Sequence, residues 1–178
     1  METAIQFTLP APEVSLQGDL REWIDKYALV RLVLAAVQSP RLSAVDPVSD
    51  RGDSFRPHLL LSLLTYCYAT GVYGSSDIQF RSSHDAMVRH LCAERYPEAR
   101  LLRNFRRWHR QILKTCLTEV LYRAWLIRSG FQGAVGDAMA DPGAHFHDHH
   151  VDPDGVFAAE AEERINTAVR MDCGAFDC

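Results

Sequence analysis

EARLLRNFRRWHRQILKTCLTEVLYRAWLIRS, residues 98–129, decides how this chain reads. Its apolar residues return at helical spacing. Leu101, Phe105, Trp108, Ile112 and Cys116 advance by four, three, four and four positions, one stripe on a 3.6-residue wheel. Arg100, Arg103, Arg107, Arg110 and Lys114 make a second stripe on nearly the opposite face, flanked by Arg106. With Gly130 as its stop, the stretch predicts one long helix with an aromatic-apolar face toward a core and a guanidinium row toward solvent.

Outward from this stretch the helical pattern continues. On its N-terminal side, Glu94 to Pro97 form a break, preceded by a short helix from His84 to Cys92 and another beginning at Asp77-Ile78 under a Ser75 or Ser76 cap. Pro57 suits the first turn of a leucine- and tyrosine-rich helix reaching about Thr70, with Gly71 as its C-cap. Residues 41–54, with Asp46-Pro47 and Gly52, read as a loop. Residues 19–38 read as a helix opened by Asp19, carrying Leu20, Trp23, Ile24, Tyr27, Leu29 and Val33, and stopped at Ser39-Pro40. No strand-like alternation of useful length occurs. The expected class is all-α, a multi-helix domain with a helix-turn-helix-like core and a long basic helix. An irregular acidic tail with a terminal helix follows. The segments are a helical lead-in and loop over 1–50, a helical domain over 51–130 and the tail over 131–178.

At 178 residues, 47% hydrophobic and 24% charged, the chain suits one domain with an appendage, and neither disorder nor a collagen-like repeat fits. The apolar run around Leu59–Leu64 falls well short of the roughly 18 residues a membrane span needs. Met1-Glu2-Thr3 lacks the basic start of a secretory signal, so a cytoplasmic protein without a membrane partner is expected. The net charge of −4 hides a division: −3 over residues 1–50, +7 over 51–128 and −8 over 129–178. Such asymmetry points toward nucleic acid. Arginine suits that role because its planar fork donates paired hydrogen bonds to phosphate oxygens and guanine edges. Between residues 95 and 122 only Glu98 and Glu119 are acidic, so the row lacks most of the i,i+4 partners of an ordinary solvated face. Asn104 and His109 lie beside it and can bond bases or phosphates. The candidate DNA contacts are therefore Arg100, Arg103, Asn104, Arg106, Arg107, His109, Arg110 and Lys114.

Other residues have plainer readings. Cys67, Cys92 and Cys116 fall on apolar helix faces and read as buried reduced thiols, while Cys173 and Cys178 are more exposed and no CxxC pair occurs. Trp23, Trp108 and Trp125 sit at helix-face spacing and read as core. Tyr66 and Tyr68, two apart on a helix, are expected to face differently, one packing and one reaching a phosphate or edging the core. His58, His84 and His90 read as surface groups or caps.

Several separated elements also occur in a familiar order. Phe55-x-Pro57 leads into Leu59-Leu60-Leu61-x-Leu63-Leu64-x-Tyr66-x-Tyr68-Ala69-x-Gly71, followed by Ser75-Ser76-x-Ile78, Pro97 and Phe105-Arg106-Arg107-Trp108-His109. This arrangement resembles the N-terminal domain of DDE-type insertion-sequence transposases of the InsH-like group, closely over about residues 50–125 and more loosely over 1–49. The resemblance implies a bacterial domain that binds double-stranded DNA at transposon ends, as a homodimer or otherwise, and is nucleoid-associated when bound. It also implies a following RNase H-like catalytic domain in which three carboxylates hold magnesium for in-line attack on a phosphodiester.

The sequence departs from that pattern after the long helix. Relatives place the first catalytic aspartate in an Asp-Gly-Thr element, whereas here Gly136-Asp137-Ala138 stands at the matching distance. Asp137 is thus the candidate for a degenerate first carboxylate, and the chain to Cys178 holds neither the remaining sheet nor the later two. Residues 157–172, with Glu160, Glu162, Glu163 and Arg164, resemble the charged helix some relatives insert there. DNA binding without phosphodiester chemistry is the expectation. His145, His147, His149 and His150 are candidate ligands for adventitious zinc or nickel, but the surrounding Pro142, Gly143 and Pro153-Asp154-Gly155 mark a polar loop with no second cluster to complete a site. One alternative is a helical interaction or regulatory protein derived from such a domain, its acidic tail masking the basic helix or docking a protein partner. Another is a metal-dependent nuclease built on Asp137 and the histidines.

Overall fold

The computed structural model describes residues 16, 18–38, 48–50, 53–130 and 155–174. Among the described residues seven α-helices build the domain: α1 (Lys26–Val37), α2 (Pro57–Ala69), α3 (Ser75–His84), α4 (Ala86–Leu91), α5 (Ala99–Trp108), α6 (Arg110–Arg128) and α7 (Val156–Gly174). The class is all-α. The expected loop before α2 adds one small exception, a two-stranded antiparallel ribbon pairing β1 (Val48–Asp50) with β2 (Asp53–Phe55), Val48 opposite Phe55.

The centre of the molecule is α2. Every residue from Leu60 to Thr70 is buried, as a helix apolar on nearly all sides must be. Helices α1, α4, α5, α6 and α7 pack around it. Tyr66 and Tyr68 are both buried, so neither is left for a phosphate. Asp19 does act as an N-cap, accepting from the Arg21 amide at 2.8 Å, but it caps only a 3₁₀ turn, Leu20–Glu22. Helix α1 starts six residues later, where the Asp25 carboxylate accepts from the Tyr27 amide at 2.8 Å.

The stretch expected as one helix divides at His109 into α5 and α6. The buried line also runs elsewhere, through Leu102, Phe105, Leu113, Cys116, Val120 and Ala124. At about 100° per residue that line is centred well to one side of the Leu101–Ile112 stripe. Two assignments change for this one reason. Arg106 falls inside the apolar arc and is buried, while Trp108 falls roughly 120° from it and is 62% exposed. Trp23 and Trp125 pack against the core as expected, with the Arg128 guanidinium 4.8 Å above the Trp23 ring.

Helix α7 belongs to the same core as residues 51–130. It runs antiparallel to α5 and α6: Phe157 meets Tyr122 and Trp125, Glu162 meets Arg110 and Lys114, and Asp172 meets Arg106. Phe157, Ala161, Ile165 and Ala168 are buried along it. Burying Phe157 and Ile165 alone is worth about 3–6 kcal/mol, comparable to the whole net stability of many domains. The acidic segment is therefore a structural wall over residues 156–174. Residues 131–154 and 175–178 lie outside the described residues, as do Asp137, Cys178 and the histidines 145–150.

Candidate nucleic-acid interface

Helix α5 is fixed from three directions. Its inner face is seated by Leu101, Leu102 and Phe105. At its N-terminus, where four amides lack intrahelical partners, the Gln79 side chain of α3 accepts from the Ala99 amide at 2.8 Å. The turn leading into it places Ala93 and Glu94 at φ +51° and +58°, an uncommon conformation for residues with a β-carbon. That turn is tied by the Glu94 amide to the Arg89 carbonyl at 3.1 Å and by the Arg89–Glu94 ion pair at 3.3 Å.

The third tie is a buried polar cluster at Arg106. Its guanidinium donates to Asp172 Oδ2 at 2.5 Å and to the Tyr68 hydroxyl at 3.0 Å. Asp172 also accepts from the Ser75 amide at 2.8 Å and the Ser75 hydroxyl at 2.6 Å. A carboxylate from α7 thus caps the first turn of α3, the task expected of a serine. Burial pushes the Tyr68 phenol up to about 12, and it stays protonated as part of this cluster. Arg106 is consequently a joint between α2, α3, α5 and α7, and no longer a candidate DNA contact.

The remaining candidates separate into two groups. Arg100 and Arg107 are exposed and make no ion pair among the described residues, and Arg103 and Asn104 are half-buried beside them. With Trp108 and Gln111, also exposed, Arg100, Asn104 and Arg107 form an outward strip stepping four, three, one and three positions along α5 into α6. Arg110 and Lys114 belong to the other group. Both meet Glu162 of α7: Arg110 Nε donates to Oε1 at 3.1 Å, its Nη2 to the same oxygen, and Lys114 Nζ lies 3.2 Å from Oε2. Asn166 Oδ1 accepts from Arg110 Nη2 at 2.5 Å. These hydrogen bonds, Arg110 foremost, hold the Glu162 carboxyl below the usual carboxylate range, so it is ionised at neutral pH. His109 sits at the α5–α6 junction with its ring 4.5 Å from that of Phe105, and burial lowers its pKa.

Comparison of the chain with protein families, curated proteins and solved structures finds no match. The site stands on its own geometry. Among the described residues no group of three or more His, Cys, Asp or Glu could hold a metal ion, and no helix is long and apolar enough to cross a membrane. Cys67, Cys92 and Cys116 are buried free thiols, and Cys173 is exposed.

Trp108 and Gln111 belong to the strip yet were not among the expected contacts, and Glu162 and Asp172 act on the site's helices from 52 and 66 residues away in sequence. Trp108 could have been found from its spacing to Arg100, Asn104 and Arg107. The α7 residues carry no local signal, because an acidic helix reads alike whether solvated or docked.

Proposed function

We propose that this protein binds double-stranded DNA through the outward strip of α5, in the setting of DNA transposition suggested by the resemblance of residues 50–125 to transposase N-terminal domains. One observation carries the reading. Arg100 and Arg107 stand exposed and unpaired among the described residues, on one face of a helix whose inner face and N-terminus are fixed by α3 and α7. Rigid placement matters because a guanidinium recognises phosphate or a base edge only when its fork is correctly aimed. Asn104 and the Trp108 indole N–H lie within the same strip and supply further donors. The segment 51–128, at net +7, adds the field that draws a polyanion in.

Fluorescence anisotropy with a labelled duplex, titrated across salt concentrations, tests this. Affinity should fall steeply as salt rises, as expected where phosphates exchange counterions for arginines. The double substitution R100E/R107E should abolish binding while helical circular dichroism is retained. Unchanged binding by that variant would refute the assignment of this strip. The regulatory alternative is favoured by the ion pairs from α7 to Arg106, Arg110 and Lys114, which leave the outer strip of α5 uncovered among the described residues.

A further inference from the structure

We infer that Arg110 and Lys114 form a second phosphate-contact site, continuing the line of Arg107, and that the Glu162 carboxylate occupies it in place of a DNA backbone phosphate. The inference rests on the DNA-binding reading of α5 and assigns to it a built-in competitor.

The placement comes first. Arg103, Arg107, Arg110 and Lys114 step four, three and four positions, and helical hydrogen bonding passes through the junction, from the His109 amide to the Phe105 carbonyl at 2.9 Å and from the Leu113 amide to the His109 carbonyl at 3.0 Å. From Arg100 to Lys114 the line spans at most roughly 21 Å at 1.5 Å per residue, several phosphates of one DNA strand.

The occupant has the shape of the ligand. Glu162 uses its two oxygens on two different cations, Oε1 on Arg110 and Oε2 on Lys114 at 3.2 Å, as the two non-bridging oxygens of a phosphodiester would. Asn166 holds the Arg110 guanidinium from the side. The contrast with the neighbouring pair separates a structural bridge from an exchangeable one. Arg106 and Asp172 are only 6% and 7% exposed, whereas Arg110, Lys114 and Glu162 are 37%, 28% and 33% exposed. Solvent and salt reach the second pair, so the carboxylate can be exchanged for another anion.

Helix α7 makes the competitor permanent. Phe157, Ala161, Ile165 and Arg164 anchor it in the core, so Glu162 keeps its place near both cations when the pairs open. A phosphate arriving on Lys114 must displace a tethered anion. Binding is thereby weakened without any part of the fold moving, and the arginines of α5 remain the entry point.

The test uses the full chain, its E162Q and E163Q variants, and a labelled duplex at moderate salt. Both substitutions remove one negative charge from α7, but Glu163 is 56% exposed, pairs with Arg170 and makes no ion pair with α6 among the described residues. Release of two partly exposed cations predicts that E162Q binds roughly three- to tenfold more tightly than wild type, with E163Q within about twofold. Adding K114Q to E162Q should erase most of that gain, with unchanged melting excluding a folding effect. Equal affinities for E162Q and E163Q would overturn the inference while leaving DNA binding by α5 intact, as would a gain that survives K114Q. Absence of salt-dependent binding in wild type and E162Q alike would remove both readings together.

Discussion

Replacing Arg164 with leucine should destabilise the protein more than any change on the outward face of α5. Arg164 is 2% exposed, and its guanidinium serves five acceptors: the Tyr68 carbonyl at 2.8 Å, Ala69 at 3.2 Å, Leu16 at 2.6 Å, Gly18 at 3.0 Å and Glu160 at 2.7 Å. Two of these acceptors are carbonyls in the last turn of α2, where a helix presents unpaired oxygens and partial negative charge. Leucine keeps the apolar volume and removes every donor. The Ala69 carbonyl, stripped of its donor in the core, costs about 1–3 kcal/mol, while the Tyr68 carbonyl keeps only the longer bond from the Gly71 amide at 3.4 Å. Glu160, 14% exposed, loses its cation as well. The sum falls near the 3–5 kcal/mol typical of removing one partner from a buried pair. For a chain of this length that is a fall in melting temperature of about 6–20 °C. Thermal unfolding followed at 222 nm, with urea titration as a second measure, gives the number. A loss below about 1 kcal/mol would refute the reasoning, because a solvated arginine would behave so.

Four further outcomes follow from the same contacts. D172A should cost about 3–5 kcal/mol in urea unfolding, because it strands the Arg106 charge and the Ser75 amide in the core. W108A should change stability by less than about 1 kcal/mol by the same assay, its indole being 62% exposed, while weakening duplex binding. Cys92 and Cys116, with thiols pushed by burial up to about 12, hold only about one part in 10⁴ as thiolate at pH 8, so peptide mapping after iodoacetamide should find them and Cys67 unlabelled in the native protein and Cys173 labelled. His109 has a folded pKa lowered from 6.5 by burial, so the folded state disfavours its proton and its contribution is complete above 6.5 and declines as pH falls below it. H109Q should therefore lose less stability than wild type between about pH 7 and 5, measured as the difference between their urea midpoints.

Much of the fold was legible because helices announce themselves locally. Pro57 and Gly71 bracket α2, and Gly130 closes α6, as their backbone preferences require. The three buried thiols also followed from helix-face spacing. Direction was harder to read. Both the Leu101–Cys116 stripe and the buried line are good helical patterns, and only the packing of α7 and α2 decides between them. An arginine inside an apolar arc reads as a flank of a basic row unless its carboxylate is known, and that carboxylate is Asp172, 66 residues on. Half of the proposed site was visible for the same reason: Arg100, Asn104 and Arg107 are set by one helix. Arg110 and Lys114 are set by two, α6 and α7.

The grip of Arg164 on Leu16 and Gly18, 148 and 146 positions away, also governs how the molecule is made. At about 5–20 residues per second, synthesis takes roughly 5–20 s to pass from the end of α2 to α7. Through that interval Leu60–Ala69, which α7 helps to cover, has only part of its packing shell. Closing so long a loop is slow, and a nascent chain meanwhile carries an uncovered, almost wholly apolar helix. Helix α2 should therefore complete its packing only once α7 has been made, with a window in which chaperone capture and aggregation compete with the arrival of one arginine.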